Sequence, residues 1–216
     1  LDGVAVRVQQ KNRALKKDAS LIASSDSIFA VSQAVTKNPE ERIPASLTLA
    51  VQQSLDQNRN ATLQLGKGSS LTVDPGGKIA LSSDTSILVN GILNAPGGRI
   101  DLTINPPARS DKGYFAEQGI WLGEQSQLLA GGIFRPTSDP SGLKNGQVMA
   151  GGVINLAANR GYVVTQKDSI IDISGTASTV EIRTPKAGSR GGSVSRQNVA
   201  SPGGALNTVS YTHLTL

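Results

Sequence analysis

The sequence predicts an all-β fold, a parallel β-helix (β-solenoid) with loop excursions. Three observations support this prediction: a recurring Gly-Gly segment, a period-2 alternation of apolar and polar residues, and a composition poor in large rings. Aromatic residues make up only 3% of the 216 residues, whereas Gly contributes 24. A core with so few rings must be packed by aliphatic side chains. Evenly scattered turn residues suit many short strands better than long helices.

The Gly-Gly segment returns several times along the chain. GGKIAL (Gly76 to Leu81) is followed 21 residues later by GGRIDL (Gly97 to Leu102) and then by GGVINL (Gly151 to Leu156), with weaker echoes at Gly191 and Gly203. A second element begins with Ser, runs through apolar residues and closes near Gly, Asn or Asp. Its copies are SLTVD (Ser70 to Asp74), SILVNG (Ser86 to Gly91), SQLLAG (Ser126 to Gly131) and SIIDISG (Ser169 to Gly175). Each element has the length of one short strand bounded by turn chemistry.

Within GGRIDLTI the residues alternate as they do in a strand with one buried face. Ile100, Leu102 and Ile104 are apolar, and polar residues separate them. A repeat of about 21 residues is too short for two packed helices, but it accommodates three short strands and three turns. Stacked repeats would place each strand roughly 4.8 Å from its counterpart and pile the inward side chains into an aliphatic column. The Gly pairs would form one corner of each repeat.

Two interruptions divide the repeat region, which we assign to residues 66–184. The first runs from Ile104 to Gly119 and contains Pro106 and Pro107, which cannot donate to a strand ladder. Three of the seven aromatic residues lie there or just after it, at Tyr114, Phe115 and Trp121. The second, from Phe134 to Gln147, is rich in Pro, Ser and Gly. Both are predicted to be loop excursions from the repeats.

The remaining segments are less regular. Residues 1–65 are predicted to be an irregular, β-rich start of the solenoid, with strands in Gly3 to Val8 and Ser46 to Val51 and either a short helix or a polar loop over residues 11–25. Residues 185–208 are a low-complexity excursion or a further coil. Residues 209–216, VSYTHLTL, resemble the translation of a sequencing adaptor and are interpreted as a non-native tail.

The charge distribution argues against a nucleic-acid partner. The net charge is +5 overall, composed of +2 before Gly66, zero from Gly66 to Val180 and +3 after it. A nucleic-acid-binding protein would concentrate its cations on the folded face, so none is predicted. No apolar run approaches the roughly 20 residues of a membrane-spanning helix, so no transmembrane segment is predicted either.

Residues that could carry chemistry are few, and we predict no enzyme, no catalytic residue, no cofactor and no metal site. Cys is absent and His213 is the only His, in the suspect tail, which leaves a Ser nucleophile without its usual base. The best carboxylates are Asp101 and Asp172, predicted to point outward. They would matter for the alternative function, a carbohydrate-active β-helix enzyme such as a polysaccharide lyase, which needs clustered carboxylates.

A basic cluster precedes the repeat region. Lys11, Arg13, Lys16 and Lys17 are close together in sequence and could attract sulphated glycans or lipopolysaccharide phosphates. A solvated charged face is the alternative interpretation.

The phrases Ser69 to Leu102, Gly119 to Gly132 and Gly151 to Ser178 resemble the repeat region of filamentous haemagglutinin family proteins, over roughly residues 44–184. These are giant exoproteins of Gram-negative bacteria that use two-partner secretion. The resemblance implies a right-handed β-helix shaft that is secreted to the bacterial cell surface through an outer-membrane secretion partner. It further implies an adhesin or a contact-dependent inhibition stalk that contacts host or neighbouring cell-surface receptors or glycans, without catalysis.

Overall fold

A computed structural model describes residues 5–7, 28–30, 43–52, 62–106, 118–137, 139–185 and 192–210. Every regular element in these ranges is a β-strand. The first three strands are β1 (Ala5–Arg7), β2 (Ile28–Ala30) and β3 (Ser46–Val51). Within the described ranges the structure therefore confirms the all-β class, and it offers no apolar helix of membrane-spanning length there.

From residue 62 the chain passes through three parallel sheets in a fixed order, and we call each such round a passage. The first passage is β4 (Thr62–Leu65), β5 (Ser70–Thr72) and β6 (Lys78–Ser83), and the second is β7 (Ser86–Val89), β8 (Ile92–Asn94) and β9 (Arg99–Ile104). The third and fourth passages each contain an additional hairpin before their last strand. Their strands are β10 (Gly119–Leu122), β11 (Gln127–Leu129), β12 (Phe134–Thr137), β13 (Asn145–Val148), β14 (Val153–Ala158), β15 (Tyr162–Thr165), β16 (Ile170–Asp172), β17 (Ala177–Pro185), β18 (Gly192–Ala200) and β19 (Ala205–Ser210).

Corresponding strands of successive passages lie side by side. The four-stranded sheet has the order β15-β10-β7-β4, the six-stranded sheet β16-β11-β8-β5-β1-β2 and the five-stranded sheet β19-β14-β9-β6-β3. The Gly-Gly segments align in register, since Ile79 pairs with Ile100 and Ile100 with Ile154. The predicted stacking of GGKIAL on GGRIDL is therefore confirmed, as are strands within Gly3 to Val8 and over Ser46 to Val51.

The three sheets contribute to one aliphatic core. Ile79, Ile100 and Ile154 are fully buried, and Leu71, Leu93 and Leu128 form the equivalent column from the six-stranded sheet. Along β9 the burial alternates as predicted, because Ile100, Leu102 and Ile104 are inaccessible to solvent while Arg99 is exposed. Among the described residues, the members of this buried cluster are Leu, Ile, Val and Ala.

The Gly-Gly segments turn the chain from the six-stranded to the five-stranded sheet. Gly76 and Gly97 adopt φ values of +78° and +57°, a conformation that costs little only for Gly. The prediction that the Gly pairs form a corner once per repeat is confirmed for those that precede β6, β9, β14 and β19, whereas Gly192 of the echo at Gly191 lies in the hairpin strand β18.

The grouping of the second repeat element was wrong for one copy. SILVNG (Ser86 to Gly91) contains β7, which belongs to the four-stranded sheet, whereas SLTVD, SQLLAG and SIIDISG contain strands of the six-stranded sheet. The true counterpart in the second passage is β8, in the segment that follows Gly91. Ser followed by apolar residues describes either short strand, so the local pattern could not separate the two sheets.

Both predicted interruptions coincide with extra chain between sheet strands. The first occupies the connection between β9 and β10, and residues 107–117 of it lie outside the described ranges. The second is correct in position but is not an irregular loop: β12 and β13 form an antiparallel hairpin that pairs Phe134 with Val148. A further hairpin, β17 with β18, pairs Ala177 with Ala200 and runs across the boundary placed at residue 184.

Several predicted features fall outside the described part of the chain. They are the helix or loop over residues 11–25, the basic cluster Lys11, Arg13, Lys16 and Lys17, the aromatic residues Tyr114 and Phe115, and His213. Val209 and Ser210, assigned to the suspected tail, are the last two residues of β19.

Candidate interaction surface

The two hairpins leave the sheets at the same corner. The hairpin β12–β13 lies between β11 and β14, and β17–β18 lies between β16 and β19. Since β11 neighbours β16 and β14 neighbours β19, the bases of the hairpins are adjacent. In the second passage the same corner is made by only four residues, 95–98, so the hairpins are additions to a corner that closes without them.

Hydrogen bonds join the hairpins to each other. The backbone N–H of Glu181 donates to the carbonyl oxygen of Lys144 over 2.8 Å, and the N–H of Lys144 donates to Oε2 of Glu181 over 3.1 Å. Near their bases, the Ser201 hydroxyl donates to the Met149 carbonyl over 2.9 Å and accepts from the Thr176 N–H over 3.0 Å. Because the two hairpins are hydrogen-bonded both near their bases and farther out, they form one surface, which we call the hairpin platform (residues 134–137, 144–148, 177–185 and 192–200).

Local sequence explains why the shorter hairpin forms. Asp139 accepts a hydrogen bond from the Ser141 N–H over 2.7 Å, and Gly142 follows with a φ of +70°, which turns the chain back on itself. The ammonium group of Lys144 then lies 5.3 Å from the centre of the Phe134 ring, a cation–π contact across the hairpin.

The platform carries more cations than carboxylates along its exposed strands. Arg196 Nε lies 3.2 Å from Oε1 of Glu181. The Lys144 N–H and the Arg196 guanidinium hold the pKa of Glu181 below its ordinary value. Arg183 adds a further positive charge, and the apolar Ile182 and Val194 are 43% and 48% exposed. Arg is enriched at protein–protein interfaces relative to the rest of the protein surface.

Asp101 lies on the outer face of the five-stranded sheet, where its carboxylate is engaged by neighbours. Lys78 Nζ lies 2.8 Å from its Oδ2, and Arg99 Nε lies 2.8 Å from its Oδ1. The Asn155 amide also donates to Oδ1, and the Asn207 amide in turn donates to Asn155 Oδ1 over 2.8 Å. Partial burial alone would raise the pKa of Asp101, but the hydrogen bonds from Lys78, Asn155 and Arg99 outweigh it and leave the pKa lowered.

Asp172 is on a strand of the six-stranded sheet and is not brought together with Asp101. Its Oδ1 accepts from the Ser174 N–H over 2.8 Å, and the backbone and side chain of Ser174 lower the pKa of Asp172. The two carboxylates therefore serve separate local hydrogen-bond networks. In the described ranges no group of three or more acidic or His side chains is placed to hold a metal ion.

Sequence reasoning missed the platform as a surface, although one signal was present. Thr179 to Thr184 has a strand-forming composition and is followed by a Gly- and Ser-rich segment, which is typical of the first arm of a hairpin. All but one residue of β18 are exposed, so the sequence there lacks the clear apolar alternation that revealed the other strands.

Comparison of the chain with protein-family models, with curated proteins and with solved structures finds no match in any of the three. The resemblance to filamentous haemagglutinin family proteins therefore stays a prediction.

Proposed function

We propose that this chain is a segment of a right-handed parallel β-helix that serves as a stiff shaft in a large, secreted surface exoprotein of a Gram-negative bacterium. One observation carries the proposal: four successive passages visit three parallel sheets in the same order around one aliphatic core. Repetition of this kind makes each layer depend on its neighbours and orients the backbone hydrogen bonds along the stack. A rod built this way resists bending, which suits a shaft.

In this proposal the hairpin platform is the adhesive part. It interrupts the passages only at one corner and displays Arg183, Arg196 and Lys144 beside exposed apolar groups. On the outer face of the five-stranded sheet, by contrast, charged side chains on neighbouring strands pair with each other, as Lys78 and Asp101 do. The partners are host or neighbouring cell-surface receptors or glycans, and an outer-membrane secretion partner exports the chain. The parent protein is an adhesin or a contact-dependent inhibition stalk of the filamentous haemagglutinin type, without catalysis.

Cell binding tests the adhesive role. The fluorescently labelled chain is incubated with epithelial cells and with Gram-negative bacteria, beside a variant in which residues 173–204 are replaced by the Ala-Pro-Gly-Gly of residues 95–98. We expect saturable binding by the parent chain and its loss in the variant. Thr103→Ala, on the outer face of β9, is the matched control and should bind as the parent does.

Two outcomes would contradict the proposal. The absence of saturable binding to either cell type, or undiminished binding by the variant without β17–β18, would remove the adhesive role. Turnover of polyuronates by the purified chain would instead favour the carbohydrate-active enzyme.

A further inference from the structure

The corner between the four-stranded and six-stranded sheets contains a notch because one of its turns is short. Four residues connect these sheets in the first, third and fourth passages, at residues 66–69, 123–126 and 166–169, but only Asn90 and Gly91 connect them in the second. The missing residues leave a recess of about 410 Å³. It is lined by Gln64, Lys67, Asn90, Glu124, Gln125 and Gln166, which come from all four passages.

The floor of the notch is fixed by backbone hydrogen bonds. The Asn90 N–H donates to the Leu65 carbonyl over 2.7 Å, and the Gly123 N–H donates to the Val89 carbonyl over 2.8 Å. The carboxamide oxygen of Asn90 occupies the space where a Cβ on residue 123 would lie. Gly at position 123 therefore allows the Asn90 side chain to pack directly against the backbone there. Backbone hydrogen bonds to the first and to the third passage therefore fix the chain on both sides of the recess.

The lining side chains are suited to an uncharged polar ligand. Four carboxamides, on Gln64, Asn90, Gln125 and Gln166, can each donate and accept hydrogen bonds, as sugar hydroxyls and acetamido groups do. Lys67 and Glu124 contribute one charge of each sign. A notch with balanced charge has no excess of cations with which to attract a sulphated or phosphorylated glycan.

Trp121 lies beside this corner on the outer face of the four-stranded sheet. It pairs with Leu88, which in turn pairs with Gln64 at the edge of the notch, and neighbouring strands are about 4.8 Å apart. Along β10, Trp121 alternates with the buried Ile120 and Leu122 and is itself only partly buried. An indole on an outward face offers a flat apolar surface beside polar groups, and Trp and Tyr are both enriched where one end of a side chain is apolar and the other wet.

We propose that the notch and Trp121 together bind a neutral, N-acetylated oligosaccharide, with a pyranose ring against the indole and its hydroxyl and acetamido groups on the carboxamides. This inference goes beyond the proposed function, because it names a second site, separate from the hairpin platform, and a ligand class for it.

The chain carries a single Trp, which lies beside the notch, so its fluorescence reports on binding of a ligand that contacts both. The chain is titrated with chitotriose, with cellotriose, which lacks the acetamido groups, and with a heparin oligosaccharide. We expect a saturable change with chitotriose, at least 10-fold weaker binding of cellotriose, and no saturable change with heparin. No saturable change with chitotriose, or tighter binding of heparin, would overturn the proposal.

Variants locate the site. Gln125→Ala and Gln166→Ala each remove an exposed carboxamide and should weaken chitotriose binding about 3- to 10-fold, the effect of one lost hydrogen bond. Replacing Asn90–Gly91 with the Gly-Glu-Gln-Ser of residues 123–126 fills the notch and should abolish binding. Gln127→Ala, which lies outside the notch lining, is the control and should bind as the parent does. If both Ala variants bind chitotriose as tightly as the parent, the notch is not the site.

The experiment separates this inference from the proposed function. Cell binding that is lost with β17–β18 but unchanged by the notch variants, together with no chitotriose binding, overturns the notch alone. Chitotriose binding by a chain that does not attach to cells would support the notch and contradict the adhesive role.

Discussion

Gly98 lies directly against Gly77 in the preceding passage. The N–H of Arg99, which follows Gly98, donates to the Gly77 carbonyl over 2.9 Å, and a Cβ on Gly98 would lie closer than 3.0 Å to that same oxygen. The relationship repeats along the corner, because Gly152 meets Gly98 and Gly204 meets Gly152 in the same way. Close backbone approach therefore requires the second Gly of each pair, and a left-handed conformation is not the reason at these three positions.

Gly98→Ala should destabilise the chain by about 1–3 kcal/mol, because the added methyl group has only backbone atoms to displace. Gly203→Ala is the matched control: its nearest atom would be 3.2 Å away and its φ is not left-handed. Urea unfolding followed by circular dichroism measures both. Equal midpoints for the two variants would contradict the steric explanation.

Leu93→Ala should cost about 2–5 kcal/mol, because Leu93 is fully buried between Leu71 and Leu128 and its removal leaves a cavity. Ile170→Ala, in the same sheet but 47% exposed, should change stability by less than about 0.5 kcal/mol. The free energies of unfolding in urea provide the comparison. Similar losses for the two variants would show that Leu93 does not lie in a tightly packed column.

The five-stranded sheet could be predicted from the sequence because its strands share a specific mark. The Gly-Gly pair precedes β6, β9, β14 and β19 alike, so alignment of the pairs also aligns Ile79, Ile100 and Ile154 in register. No such mark distinguishes β7 from β5. Both are short strands that begin with Ser. They differ in the sheet that they join, which depends on how many strands the chain has passed since the last Gly pair.

The hairpins and the notch could not be predicted from the sequence, and the reasons for the two are related. Each results from the length of a connection relative to its counterparts in other passages: long at residues 130–152, short at Asn90 and Gly91. Such a comparison requires the strands to be assigned to sheets first. Likewise, the neighbours of Asp101 are predictable only once Lys78 and Asn155 are known to lie on adjacent strands.

Asp101→Asn should lower the free energy of unfolding by about 1–2 kcal/mol at neutral pH, because it removes the charge that Lys78 and Arg99 contact. The pKa of Asp101 is lowered by folding, so this stabilisation is fully present above the ordinary Asp pKa and is lost as the pH falls through the folded value. The difference between parent and variant should therefore shrink below about pH 4.

Urea unfolding at a series of pH values measures this difference. Asp168→Asn is the control, since Asp168 is an exposed turn residue with a φ of 67°, which Asn also accepts. An Asp101→Asn effect that stays constant from neutral to acidic pH would mean that the carboxylate charge does not contribute.

Removal of the hairpin β12–β13 should leave the three sheets intact. In the second passage residues 95–98, Ala-Pro-Gly-Gly, connect the six-stranded to the five-stranded sheet without any insertion. Residues 130–152 connect the same two sheets in the third passage, and Gly152 occupies the position of Gly98 next to the paired Val153 and Arg99. Replacing residues 130–152 with Ala-Pro-Gly-Gly should therefore give a chain with the parent's β-type circular dichroism and one cooperative unfolding transition. Its stability should fall modestly, because the Lys144–Glu181 hydrogen bonds and the Ser201–Met149 contact are lost. A chain that fails to fold would show that β12–β13 is required to close this corner, and the hairpin platform would then be part of the scaffold and not an addition to it.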